Sequence, residues 1–85
     1  MDKIIKVKIN SEDCVKKLVG NYIILWRNNI KTACRVDSID KENQSIQYTL
    51  ITGRDKGKRY QSMYIPTQEV KVYDEGSVIL AAMEI

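Results

Sequence analysis

The 85-residue chain contains no histidine. General acid–base chemistry near neutral pH would therefore fall to carboxylates or lysines. A zinc site would lack its usual nitrogen ligands, and two cysteines cannot complete one alone. Those two, Cys14 and Cys34, make at most one bridge, whereas small secreted scaffolds usually carry several. Both are read as reduced, buried thiols of a cytoplasmic chain. No apolar run approaches the roughly 20 residues of a membrane span, so no membrane partner is expected. The opening residues, with Asp2 and Lys3 ahead of an alternating charged segment, do not read as a signal peptide. Proline is nearly absent as well. Pro66 is the only one, and it must end whatever strand precedes it, because it fixes φ and gives no amide to a ladder.

What remains has the composition of an ordinary globular domain, 44% hydrophobic and 29% charged, at a length that suits one domain and not two. The chain therefore reads as one unit over 1–85, with a strand–helix extension (1–20), a strand-rich body (21–74) and a closing tail (75–85). Its net charge of +3 says less than its distribution. Residues 27–59 hold eight Lys/Arg against four Asp/Glu, while residues 60–85 hold one Lys against four Asp/Glu. The middle is basic and the C-terminal part acidic.

Residues 3–9 alternate, with Ile5, Val7 and Ile9 on one side and Lys6 and Lys8 on the other, as a half-buried strand does. Asn10 and Ser11 offer caps to a two-turn helix over 12–19, whose buried face would hold Cys14, Val15, Leu18 and Val19. Gly20 suits the position just past it. Residues 21–27 form a dense apolar strand, which places Trp26 in the core. Asn28-Asn29 is a hairpin turn, since Asn tolerates positive φ. Residues 30–39 return, with a bulge or bend expected around Thr32, Ala33 and Cys34. A polar turn over 40–44 leads to strands over 45–52 and 59–65. Pro66 then opens a tight helical turn into a last strand over 70–73. The tail over 77–85 has the residues of a helix, but Val78 and Ile79 and a charged C-terminal end favour a closing strand.

Between residues 52 and 59 two pairing registers compete, and parity decides what is buried. Pairing Thr52 with Arg59 puts Ile46, Tyr48, Leu50, Met63 and Ile65 on one face. Tyr60 and Tyr64 then turn to solvent beside the loop. A shift of one residue puts both tyrosines inside and turns Met63 and Ile65 out. The first arrangement has the more apolar core and is the expected one, at roughly 1.5–3 kcal/mol per buried aliphatic side chain. The plainer reading of the two tyrosines is half-buried strand residues with wet hydroxyls.

The loop Gly53-Arg54-Asp55-Lys56-Gly57-Lys58-Arg59 fails as a P-loop on spacing, because three residues separate its glycines and Arg59 follows the lysine. It remains a tip with four positive charges and one negative, able to meet phosphates or simply to stay solvated. No catalytic set accompanies it. Asp37, Asp40 and Glu42 cluster around a turn without a partner, and Cys14 has no base, so neither an enzyme nor a cofactor is expected.

The string Tyr64-Ile65-Pro66-Thr67-Gln68-Glu69-Val70 resembles the end of Src-homology-3 domains, where an aliphatic–proline pair leads through one helical turn into the last strand. The five-strand order from Val19 onward is similar to that barrel and to the KOW and Sm-like small β-barrels. The resemblance implies a mostly β fold with one short helix, a small antiparallel Src-homology-3-like barrel of about six to seven strands. Glu69 stands where that family has an aromatic that grips polyproline, so a proline-peptide groove is not implied. Small barrels of this kind are frequent among accessory proteins of bacterial viruses and mobile elements, which often act by occluding a host protein; that is analogy at the level of fold.

The favoured function is a non-catalytic module that binds nucleic acid. Arg27, Lys31, Arg35, Arg54, Lys56, Lys58 and Arg59 would contact phosphates, and Tyr60 and Tyr64 would stack on bases. The alternative is a protein-binding inhibitor or adaptor. For it, the acidic C-terminal part and an exposed edge strand would serve a protein partner or a homodimer.

Overall fold

A computed structural model describes residues 5–9, 11 and 13–83. Six strands and two helices follow in the order β1 (Ile5–Lys8), α1 (Cys14–Leu18), β2 (Tyr22–Arg27), β3 (Ile30–Asp40), β4 (Ser45–Leu50), β5 (Arg59–Met63), β6 (Glu69–Val72) and α2 (Glu75–Met83). The fold is mostly β and wholly antiparallel. Strands β2-β3-β4-β5 form one sheet and β1-β6 a second. Among the described residues the sheets share a single bridge, Tyr22–Tyr73, and backbone pairing does not close them into a barrel.

Several local expectations hold. Val7 and Ile9 are buried, whereas Lys6 and Lys8 are exposed; Lys3 and Ile4, the expected start of this strand, lie outside the described residues. Gly20 takes φ +84 just past α1. Asn28 and Asn29 both have positive φ, 51 and 64, as the tight β2–β3 hairpin requires. The tight turn at Pro66 is present, with the Gln68 amide donating to the Ile65 carbonyl at 2.9 Å, although β5 already stops at Met63 and not at Ile65. Cys14 and Cys34 are free and fully buried.

Helix α1 is shorter than expected and has no side-chain cap. Ser11 instead donates from Oγ to the Lys8 carbonyl at 2.8 Å, and its own carbonyl receives the Cys14 amide at 3.2 Å. Asn10 and Glu12 lie outside the described residues. Cys14 and Leu18 face the core, but Val15 is turned to solvent. The irregularity in β3 falls between Val36 and Ser38 rather than around Thr32, Ala33 and Cys34.

Three expectations are overturned. The β4–β5 ladder pairs Tyr48 with Tyr60 and Ile46 with Ser62, so the tyrosine parity wins. Tyr64 is 8% exposed, while Met63 and Ile65 are 73% and 65% exposed. The cause is turn geometry. Leu50 pairs with Lys58 through bonds of 3.0 Å and, by way of the Gly57 amide, 2.7 Å, and Gly57 supplies φ +93. Ile51 leaves this hairpin and donates its amide to the Ala33 carbonyl at 3.0 Å. The loop is thus longer than the Thr52–Arg59 pairing implies, and the register moves with it.

Trp26 is the second correction. It is 66% exposed, because the residues of β2 alternate and Trp26 follows Tyr22 and Ile24 on the outer face. The third is the tail, which is a helix and not a closing strand. Asp74 starts it: its carboxylate receives the Ser77 amide at 2.8 Å and its carbonyl receives the Val78 amide at 3.0 Å. Glu84 and Ile85, whose charges weigh against a helix in the sequence, lie outside the described residues.

One core lies between the two sheets, built from Val7, Ile9, Leu18, Ile23, Val36 and Tyr48 among others. On the outer face of the larger sheet, Val78 of α2 packs with Ala33 and Tyr73 in a smaller cluster.

Candidate nucleic-acid interface

The β2–β3 turn and the β4–β5 loop lie at the same end of the larger sheet. Between them is a cleft of about 450 Å³ that draws Arg27, Asn28 and Ile30 from one side and Thr52 and Arg54 from the other. Arg27 ends β2, and the tight turn directly after it fixes its place. Arg54 stands within a loop whose Lys56, Lys58 and Arg59 are all exposed. Asp55 also lines the cleft, but its carboxylate is held by Lys58 Nζ at 3.3 Å. This end therefore carries four cations, Arg27, Arg54, Lys56 and Lys58, against one carboxylate that is already paired, while Arg59, at the start of β5, borders a separate hollow with Asp37.

Arg27 has a second contact, which the coiling of the sheet brings about. Its guanidinium carbon lies 4.1 Å from the centroid of the Tyr60 ring, although β2 and β5 are opposite edges of the sheet. Tyr60 in turn stacks on Tyr48, with centroids 6.1 Å apart and rings 27° from parallel. Hydrogen bonding to the Tyr60 hydroxyl holds the Arg27 guanidinium above its ordinary, already alkaline value. The Tyr48 hydroxyl shares a hydrogen bond of 2.9 Å with Ser62 Oγ.

The remaining predicted residues are not gathered here. Tyr64 is buried and offers no ring to a base. Burial pushes its phenol above the usual value, and the neighbouring Cys14 and Asp40 act the same way. Tyr60 is half-buried beneath Arg27. Lys31 stands on the outer face with its ammonium 5.7 Å from the Trp26 ring centroid. Arg35 is committed: its Nε donates to Asp37 Oδ1 at 3.1 Å, while Thr49 Oγ1 donates to Asp37 Oδ2 at 2.6 Å.

Sequence reasoning missed Trp26 as a surface residue, and it missed Asn28 and Thr52 in the cleft wall. The signal for Trp26 was present. A two-residue turn at Asn28-Asn29 makes Arg27 and Ile30 the closing pair, and parity from there sets Trp26 apart from Ile23 and Leu25. No metal-binding cluster of His, Cys, Asp or Glu occurs among the described residues, and no helix among them is long and apolar enough to cross a membrane.

Comparison with models of protein families, with curated proteins and with solved structures gives no match for this chain.

Proposed function

We propose that the protein is a non-catalytic binding module that takes single-stranded nucleic acid at the basic end of its larger sheet. The observation that carries this reading is the cleft between the two hairpin ends, with Arg27 on one wall and Arg54 on the other. Arginine forks onto phosphate oxygens, and a cleft with cations on both walls follows a flexible backbone better than a stiff duplex. Lys56 and Lys58, exposed on the loop that holds Arg54, add point charges near it, and Arg59 at the start of β5 adds a further one. Tyr60 acts mainly by holding Arg27 in place and not as a stacking platform.

The test is the salt dependence of binding to a fluorescent oligothymidylate and to an oligouridylate. Replacing Arg54, Lys56, Lys58 and Arg59 by Gln should flatten the log–log slope by about three units, since each single-strand phosphate contact contributes roughly 0.7. The melting temperature should hardly move, because exposed charge pairs contribute only about 0–1 kcal/mol. Wild-type protein with no affinity for either strand at low salt would sink this reading.

The second reading, a protein-binding inhibitor or adaptor, is favoured by a different observation. Trp26 is exposed beside the unpaired edge of β2.

A further inference from the structure

Strands β2 and β6 meet at one point and then part. At Tyr22 and Tyr73 each amide donates to the other's carbonyl, at 3.1 and 2.8 Å. Among the described residues no other backbone bond joins the two strands. That pair fixes the direction of every backbone group near it. Alternation turns the amides and carbonyls of Ile24 and Trp26 towards β6, and those of Lys71 and Glu69 towards β2. The opposite set is occupied by the ladders to β3 and β1. Two strand edges thus face each other with their hydrogen-bonding groups unused.

The seam has a hollow on each side. The outer one, of about 430 Å³, is bounded by Trp26, Lys31, Glu69, Lys71 and Ala81 of α2. The inner one, of about 120 Å³, is apolar and bounded by Ile23, Leu25, Val70 and Tyr48. Ile23, Leu25, Gln68 and Val70 line both, so the hollows lie back to back across the same seam. An extended peptide has this pattern: backbone donors and acceptors along its edges, and side chains pointing alternately to either side.

We propose that the β2–β6 seam captures an extended segment of a protein partner by strand addition. Its inward side chains are aliphatic and enter the inner hollow. Its outward side chains pass Trp26 and meet two lysines, Lys31 and Lys71, against one carboxylate, Glu69, so an acidic residue is favoured there. A second copy of this chain does not fit the seam, because an edge strand backed by its own sheet cannot enter between β2 and β6. The inference does not rest on the nucleic-acid reading: the seam uses the β6-facing groups of Ile24 and Trp26, whereas the cleft uses Arg27, the next residue of β2, and the β4–β5 loop.

The experiment pans a phage-displayed library of random octapeptides against the wild-type protein, with excess single-stranded DNA present to occupy the basic end. The most enriched peptide is then made synthetically and titrated into ¹⁵N-labelled protein. Enrichment of apolar residues at alternate positions with acidic residues between them is expected. Amide shifts should centre on Ile24, Trp26, Glu69 and Lys71. The emission of Trp26, the chain's one tryptophan, should change in a saturable way. Lys71→Pro removes a seam amide while sparing those that pair with β1, so it should weaken binding at least tenfold at an unchanged melting temperature. Should that variant fail to fold, the wild-type amide map decides. The proposal is overturned by a library that does not enrich, by shifts centred on residues 53–59, or by a central proline in the peptide that leaves affinity unchanged. It is equally overturned if DNA alone shifts the same four amides, or if they shift with protein concentration as a dimer forms.

Discussion

Trp26 and Tyr64 exchange the roles that hydrophobicity alone suggests. The larger ring lies in solvent and the smaller one in the core. Trp26→Ala should therefore cost less than about 1 kcal/mol, the range of an exposed cation–π contact such as that with Lys31. A urea titration that instead shows a loss of several kcal/mol would put the indole back in the core. Tyr64 behaves in the opposite way. Its hydroxyl is buried and finds no hydrogen-bond partner among the described residues. Leaving such a group unpaired costs roughly 1–3 kcal/mol, so Tyr64→Phe should be neutral or stabilising. Tyr64→Ala should cost about 3–5 kcal/mol by opening a cavity. If Tyr64→Phe destabilises the protein while weakening nucleic-acid binding, the hydroxyl has a functional partner and the tyrosine belongs to the interface after all.

Strand and turn positions are largely legible from alternation and from Pro66, Gly20 and Asn28-Asn29, whose backbone demands are local. Register is not. It depends on Ile51 leaving β4 to pair with Ala33, a contact 18 residues away in the chain that no local pattern announces. The tail misleads because Ser77 looks like the cap, whereas Asp74, three residues upstream, is the residue that caps. An N-cap aspartate receives the amide of the third helical residue, and here that residue is Ser77. Asp74→Ala should accordingly lower stability by about 1 kcal/mol, and Asp74→Asn should recover most of the loss. Urea midpoints of the two variants decide it; equal losses would show that the carboxylate's charge matters more than its cap geometry. Of the candidate site, the loop cations can be read because they are close together in the chain. The contact of Arg27 with Tyr60 cannot, because it arises from the coiling of a whole sheet.

The two sheets depend on one core, so a titration inside it is felt by the whole molecule. Cys34, on β3, is fully buried, and burial pushes its thiol from the ordinary 9.0 up to about 11, against smaller opposing effects of Arg27 and the Leu25 backbone. Tyr64 is shifted in the same direction by burial first. In the unfolded chain the thiol ionises through pH 9, whereas in the folded protein it keeps its proton until about 11. Between those limits the native state binds more protons than the unfolded state, so stability is intact below pH 9 and falls as pH rises. The slope should approach roughly 1.4 kcal/mol per pH unit for one proton, and the onset of Tyr64 ionisation extends the loss above pH 10. Urea unfolding followed by far-ultraviolet circular dichroism at pH 8, 9.5 and 10.5 measures it, since the exposed Trp26 ring is a poor reporter of core opening. Cys34→Val removes the titrating thiol at nearly constant volume and should flatten the decline between pH 9 and 10.5. A Cys34→Val variant that loses stability as steeply as the wild type would place the alkaline sensitivity in other groups, with the lysines first among them.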